Sequence, residues 1–133
     1  MKHRHLLLGA IVLAFVNAAQ AQLAGEYVDD KFLNGHATIH VSVRQTGSDV
    51  SISFHGSHND TPDVGLHFTA TGKTTMPDDH VFFKFEDSCK NSGEGLIDSG
   101  KNTLTIGLRV EHINDFSCLV FYREGMVLKR VKN

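Results

Sequence analysis

Apolar and polar residues alternate with a period of two along most of this chain, broken only by short clusters of Gly, Asn, Asp, Ser and Pro. That period belongs to an extended strand with one buried face, because successive side chains leave the backbone on opposite sides. The stretch from Val81 to Leu108 is the clearest case. Val81, Phe83 and Phe85 share one face of the strand that opens it. Leu104, Ile106 and Leu108 share one face of the strand that closes it, with Thr103, Thr105 and Arg109 opposite. Between them lie a loop rich in Gly, Asn, Asp and Ser, with Cys89 at its mouth, and a short strand around Leu96 and Ile97. A chain patterned in this way folds as half-buried strands, and no helix is expected outside the N-terminal segment.

Turn chemistry sets the pairing. From Ala37 to Gln45, Ile39, Val41 and Val43 point one way, and Thr38, His40, Ser42 and Arg44 the other. Beyond Thr46-Gly47-Ser48-Asp49, Val50, Ile52 and Phe54 alternate with Ser51, Ser53 and His55. A two-residue hairpin turn with Gly47 at its first position makes opposed residue numbers sum to 95, as 47 and 48 do. Val43 then faces Ile52, Val41 faces Phe54, Ser42 faces Ser53, and His40 faces His55. A slip of one residue would turn the apolar set to solvent, so this register is strongly specified.

Further strands are expected at Leu23 to Val28, Val64 to Thr71, His80 to Glu86 and Thr103 to Glu111. Ser117 to Arg123 and Met126 to Val131 read as a last hairpin across Glu124-Gly125. Ser57 to Asp63, with Pro62, and Gly72 to Asp79, with Pro77, read as loops. About eight to nine short strands joined by short turns make an antiparallel meander. Closure into a small up-and-down, lipocalin-like β-barrel removes its exposed edges. A two-sheet β-sandwich is the alternative.

The N-terminus carries a targeting pattern. Lys2, His3 and Arg4 precede an apolar run from Leu6 to Val16, and Ala19-Gln20-Ala21 fits the small-x-small cleavage rule. The expected division is a signal peptide over 1–21 and a single barrel domain over 22–133, exported to the periplasm or secreted. The apolar run is short for a bilayer span and no second one follows, so no membrane span is expected in the mature chain. The chain has 13 Lys and Arg against 15 Asp and Glu, and the leader takes two of the basic residues and none of the acidic ones. The remaining 112 residues therefore carry a net charge of −4 with His neutral. A mildly acidic domain without a basic run does not suit nucleic acid.

Cys89 and Cys118 both fall in the exported part, and two cysteines in an oxidising compartment are expected to pair as a disulfide. The chemistry-bearing residues are otherwise sparse. There is no nucleophile elbow, and the carboxylates of Glu26, Asp29 and Asp30 have no second acid placed across a cleft from them. An enzyme is not expected, and neither is a cofactor. The loop from Asp87 to Glu94 has carboxylates at both ends, but Cys89 stands where a calcium loop needs oxygen. Seven histidines remain after the leader. The hairpin register opposes His40 to His55, and His67 on the next strand extends the row, so these three form a candidate Zn²⁺ or Cu²⁺ site.

Gly25-x-Tyr27 in the first strand, followed by Gln45-Thr46-Gly47 in the first hairpin, resembles the opening of small secreted lipocalin-like barrels. Phe83-x-Phe85-x-Asp87 with Asn91-x-Gly93-x-Gly95 is similar to small exported bacterial proteins of unassigned role. Ser92-Gly93-Glu94-Gly95 resembles the start of the Ser-Gly-x-x-Tyr loop of periplasmic lysozyme inhibitors, without the Tyr. The resemblance implies a small disulfide-bearing barrel that binds a protein.

The functional expectation is accordingly a barrel that binds an extracytoplasmic enzyme, cell-wall-degrading or toxic, as its inhibitor or immunity protein. The residues expected to meet such a partner are Asp87, Lys90, Asn91 and Glu94, together with Asp60, Asp63, Asp78 and Asp79 in the acidic loops. The alternative is a carrier that holds a small apolar ligand within the barrel.

Overall fold

A computed structural model describes residues 23–61, 64–74 and 80–132. The expected signal peptide lies outside these residues, as do Asp63, Asp78 and Asp79. Eight strands follow one another: β1 (Gly25–Phe32), β2 (Ala37–Thr46), β3 (Asp49–His58), β4 (Gly65–Lys73), β5 (His80–Glu86), β6 (Ser92–Ser99), β7 (Thr103–His112) and β8 (Met126–Arg130). They form one sheet in the order β4-β3-β2-β1-β8-β7-β6-β5, with every pairing antiparallel. The sheet curls until its two edges, β4 and β5, meet. At one end of this seam Ser88 N–H donates to the His67 carbonyl at 2.9 Å, and the Ser88 hydroxyl accepts from His67 N–H at 3.0 Å. Further along, Gly72 lies so close to β5 that a Cβ there would stand 2.6 Å from the Phe82 carbonyl oxygen. The result is a nearly closed up-and-down barrel, as the alternation predicts.

The β2–β3 register has Val43 opposite Ile52, Val41 opposite Phe54 and His40 opposite His55. Gly47 takes φ +62 in the turn, a conformation that a Cβ would strain. β4 continues the same rows, placing Phe68 opposite Phe54 and His67 opposite His55.

The interior is built of rings. Phe68 stacks on Phe85 with centroids 4.1 Å apart and on Phe54 at 5.0 Å, and Phe83 tilts against both Phe68 and Phe85 at 6.0 Å. Gly95, opposite Phe83 on β6, leaves room for that ring, because a Cβ there would overlap it. Burying an aromatic side chain contributes about 1.5–3 kcal/mol by area alone, so these four rings are a large share of the core.

The structure corrects two local expectations. Ser117 to Arg123 is not a strand. Residues Phe116–Phe121 form a 3₁₀ helix, and β8 pairs with β7 and β1. The local cause is the Asp115 carboxylate, which accepts from Ser117 N–H at 2.9 Å and caps the first turn. The tertiary cause is Phe121. Its fully buried ring stacks on Phe32 at 5.7 Å and tilts against His58 at 5.3 Å, closing one end of the barrel. Gly56 makes space for it: a Cβ at that position would come within 2.7 Å of the Phe121 ring. The second correction concerns Ser92-Gly93-Glu94-Gly95. This segment is the start of β6, not a loop.

Candidate functional site

Successive strands run in opposite directions, so the segments 33–36, 59–61, 87–91 and 113–125 gather at one end, the end that Phe121 plugs. Two of these connections, 87–91 and 113–117, are joined by an unusual density of side-chain hydrogen bonds.

Asp87 is the hub of the first. It is 3 % exposed. Its Oδ1 accepts from the backbone N–H groups of Cys89 (2.8 Å) and Asn91 (3.0 Å), and its Oδ2 accepts from the Tyr122 hydroxyl at 2.6 Å. These bonds hold a tight turn in which Lys90 takes φ +68. Burial of Tyr122, with the hydrogen bond to Asp87 and the carboxylate's charge, pushes the phenol far above its ordinary value of 10.0.

Asn91 is the hub of the second, and it is fully buried. Its Oδ1 accepts from Asn114 N–H at 2.6 Å and Asp115 N–H at 2.8 Å, while its Nδ2 donates to the Asp115 carbonyl at 2.9 Å. Asn114 returns a bond from Nδ2 to the Cys89 carbonyl at 3.0 Å. The Cys89–Cys118 disulfide, expected from the sequence, ties the first segment to the 3₁₀ helix that follows the second, with Cα atoms 6.6 Å apart. Asp115 accepts from the Ser117 hydroxyl at 2.7 Å, and its two bonds from Ser117 lower its pKa below 3.8.

What this scaffold carries is two exposed apolar side chains. Phe116 is 76 % exposed and Ile113 is 46 % exposed. The backbone of the segment between them is hydrogen-bonded internally, so the pair is presented on a fixed loop.

The residues expected to contact a partner divide accordingly. Asp87 and Asn91 are buried and spend their hydrogen bonds inside the molecule, where they hold the turn and the neighbouring loop. Lys90 is exposed on the turn itself. Glu94 is exposed on the outer face of β6, between Lys84 and Arg109 of the adjoining strands, away from the turn. Asp60 is exposed at the plugged end, 3.7 Å from His36 Nδ1. Asp63, Asp78 and Asp79 fall outside the described residues. Sequence reasoning missed Ile113, Phe116 and Tyr122. The one local signal was Asp115 two residues before Ser117, a helix-capping spacing hidden by the strand-like run that follows it.

The histidine row does form. His40, His55 and His67 occupy one line across β2, β3 and β4, with the rings of His55 and His67 stacked at 5.4 Å. Their ligand nitrogens do not converge in the arrangement seen. Among the described residues, Cys89, Asp115 and Cys118 do place three ligand atoms within 4.8 Å of one another, but both sulfurs are spent in the disulfide.

No protein-family model matches the chain, and no curated protein matches it in sequence.

Proposed function

We propose that this is an exported protein that binds another protein through the loop Ile113–Phe116, and that it acts as an inhibitor or immunity protein against an enzyme outside the cytoplasm. The observation that carries this reading is Phe116. A phenyl ring 76 % exposed on a mobile loop would be unremarkable, but this one stands on a segment locked by Asn91, Asp115 and a disulfide. Ordering a loop before contact removes an entropic cost of association of about 0.5–1.5 kcal/mol per immobilised side chain. Exposed aromatic side chains on rigid supports are the usual centres of protein interfaces. The paired cysteines fit an oxidising compartment, and no described helix is long and apolar enough to cross a membrane.

The interior favours this reading over an apolar-ligand carrier. Phe54, Phe68, Phe83 and Phe85 stack against one another where a carrier's ligand would sit. The test is inhibition of a defined panel of lysozymes, other cell-wall hydrolases and purified toxin enzymes by the oxidised protein. We expect stoichiometric inhibition of at least one. Phe116→Ser should weaken it at least tenfold, which corresponds to about 1.4 kcal/mol. Unchanged inhibition by Phe116→Ser would move the interface elsewhere. A fluorescent fatty acid that binds the protein, with no enzyme inhibited, would restore the carrier reading.

A further inference from the structure

We propose that the outer face of β2–β4 binds a divalent transition-metal ion, Zn²⁺ or Cu²⁺, through the imidazoles of His40, His55 and His67. The three residues are direct neighbours across three adjacent strands. Strands lie about 4.7–4.9 Å apart, so the outer two histidines are separated by roughly twice that spacing, with His55 between them. Metal–imidazole bonds are about 2.0–2.1 Å long, and an ion above His55 lies within reach of both neighbours once the rings turn inward. All three side chains are exposed, and rotation of an imidazole about its last torsion is soft.

Three features around the row suit a cation. The flanking rows are small: Ser42, Ser53 and Thr69 on one side, Thr38, Ser57 and Gly65 on the other. They leave the rings room to turn, and they place no ammonium or guanidinium beside the ion. Glu26 Oε2 lies 3.3 Å from His40 Nε2, while Glu26 Oε1 accepts from the Ser42 hydroxyl at 2.9 Å. A carboxylate held in this way orients one imidazole and adds negative charge beside the site. The ligand chemistry is borderline-soft nitrogen, which selects Zn²⁺ and Cu²⁺ over Ca²⁺ and Mg²⁺.

The experiment is titration of the untagged protein with Zn²⁺ and Cu²⁺ at neutral pH, read by calorimetry and by the imidazole NMR signals. Wild type should bind one equivalent of each, Cu²⁺ more tightly, with shifts confined to His40, His55 and His67. His55→Gln should weaken binding at least tenfold. His36→Gln and His80→Gln should bind as wild type does, although each removes a histidine that has a carboxylate neighbour, Asp60 at 3.7 Å and Asp98 at 3.5 Å. Mild acid should release the ion, because imidazole ligates only when deprotonated. Equal affinity in His55→Gln and wild type would overturn the site. So would ion-induced shifts spread evenly over all the histidines, or Mg²⁺ competing on equal terms.

Discussion

The β2–β4 sheet and the disulfide end of the barrel hold their backbones by opposite means. Across β2, β3 and β4 the backbone groups satisfy one another in an unbroken ladder of ten and then nine opposed pairs. The ladder therefore needs no side chain to satisfy its backbone groups. Ser51, Ser53 and His55 face solvent, and the contacts on this face are side chain to side chain, such as the stacked His55 and His67 rings. At the disulfide end there is no ladder between 87–91 and 113–117. Side chains do the pairing instead: Asn91 accepts from the Asn114 and Asp115 N–H groups and donates to the Asp115 carbonyl, Asn114 donates to the Cys89 carbonyl, and Asp87 holds its own turn by accepting from Cys89 and Asn91 N–H. A ladder leaves a face free to be rewritten. A side-chain network consumes its own residues and frees only those that point away, here Ile113 and Phe116.

The comparison breaks most severely at the covalent link. Replacing Cys89 and Cys118 by Ser opens a cross-link between positions 29 apart in sequence, and chain entropy puts the loss at about 3–4 kcal/mol. Urea unfolding of the variant and of the oxidised parent measures it. Hydrogen exchange should locate the change: amides of 113–117 lose protection while those of β2–β4 keep theirs. Equal loss of protection in both regions would mean that the disulfide supports the whole barrel and not the loop.

Asn91→Ala should come next, at about 2–4 kcal/mol, because it strands the Asn114 and Asp115 N–H groups and the Asp115 carbonyl together. Circular dichroism should still report a β-rich fold at low temperature. Partner inhibition should fall along with loop protection even though residue 91 touches no solvent.

The two regions also differ in how far their residues announced them. The β2–β3 register was legible because one glycine turn and two alternating runs decide it locally, and the His40–His55 opposition came with it. The Asn91 network was not. Its partners lie 23 and 24 residues away, and no local pattern tells a buried, triply bonded Asn from a turn Asn. The run Phe116–Phe121 misled for a related reason. Its apolar composition suits a strand, but Phe121 is apolar in order to plug the barrel end beside Phe32, a contact nearly ninety positions distant. Exposure of Phe116 was invisible for the same cause, since burial depends on which segment folds over which.

A smaller effect separates the regions by pH. Tyr122→Phe removes the hydrogen bond to Asp87 Oδ2, at about 1–2 kcal/mol near neutral pH. It also changes the alkaline limb. The folded pKa of Tyr122 lies above its unfolded value near 10.0, so the folded state keeps a proton that the unfolded state releases. The stabilisation is complete below that value and declines as pH rises beyond it. Burial likewise raises Tyr27, with Arg130 opposing the shift. The chain has two Tyr and no Trp, so ultraviolet absorbance reports their ionisation cleanly. Phenolate absorbance should appear together with unfolding. In Tyr122→Phe, stability should fall less steeply with rising pH, and ordinary early titration in the parent would show that Tyr122 is reached by water.

The smallest effect is expected on the ladder side, and its smallness is informative. His55→Thr exchanges one exposed side chain for another that suits a strand, and it touches no backbone hydrogen bond. Stability in metal-free buffer should stay within about 0.5 kcal/mol of wild type, as for surface changes generally. Enzyme inhibition should be unaltered, because position 55 lies on the outer wall of β3 and the candidate interface lies at the plugged end. If melts with and without Zn²⁺ then differ for the parent and coincide for the variant, the ladder face has a ligand of its own. A loss of several kcal/mol in the absence of metal would mean instead that the stacked His55 and His67 rings support the sheet, and the contrast between a free face and a committed end would fail.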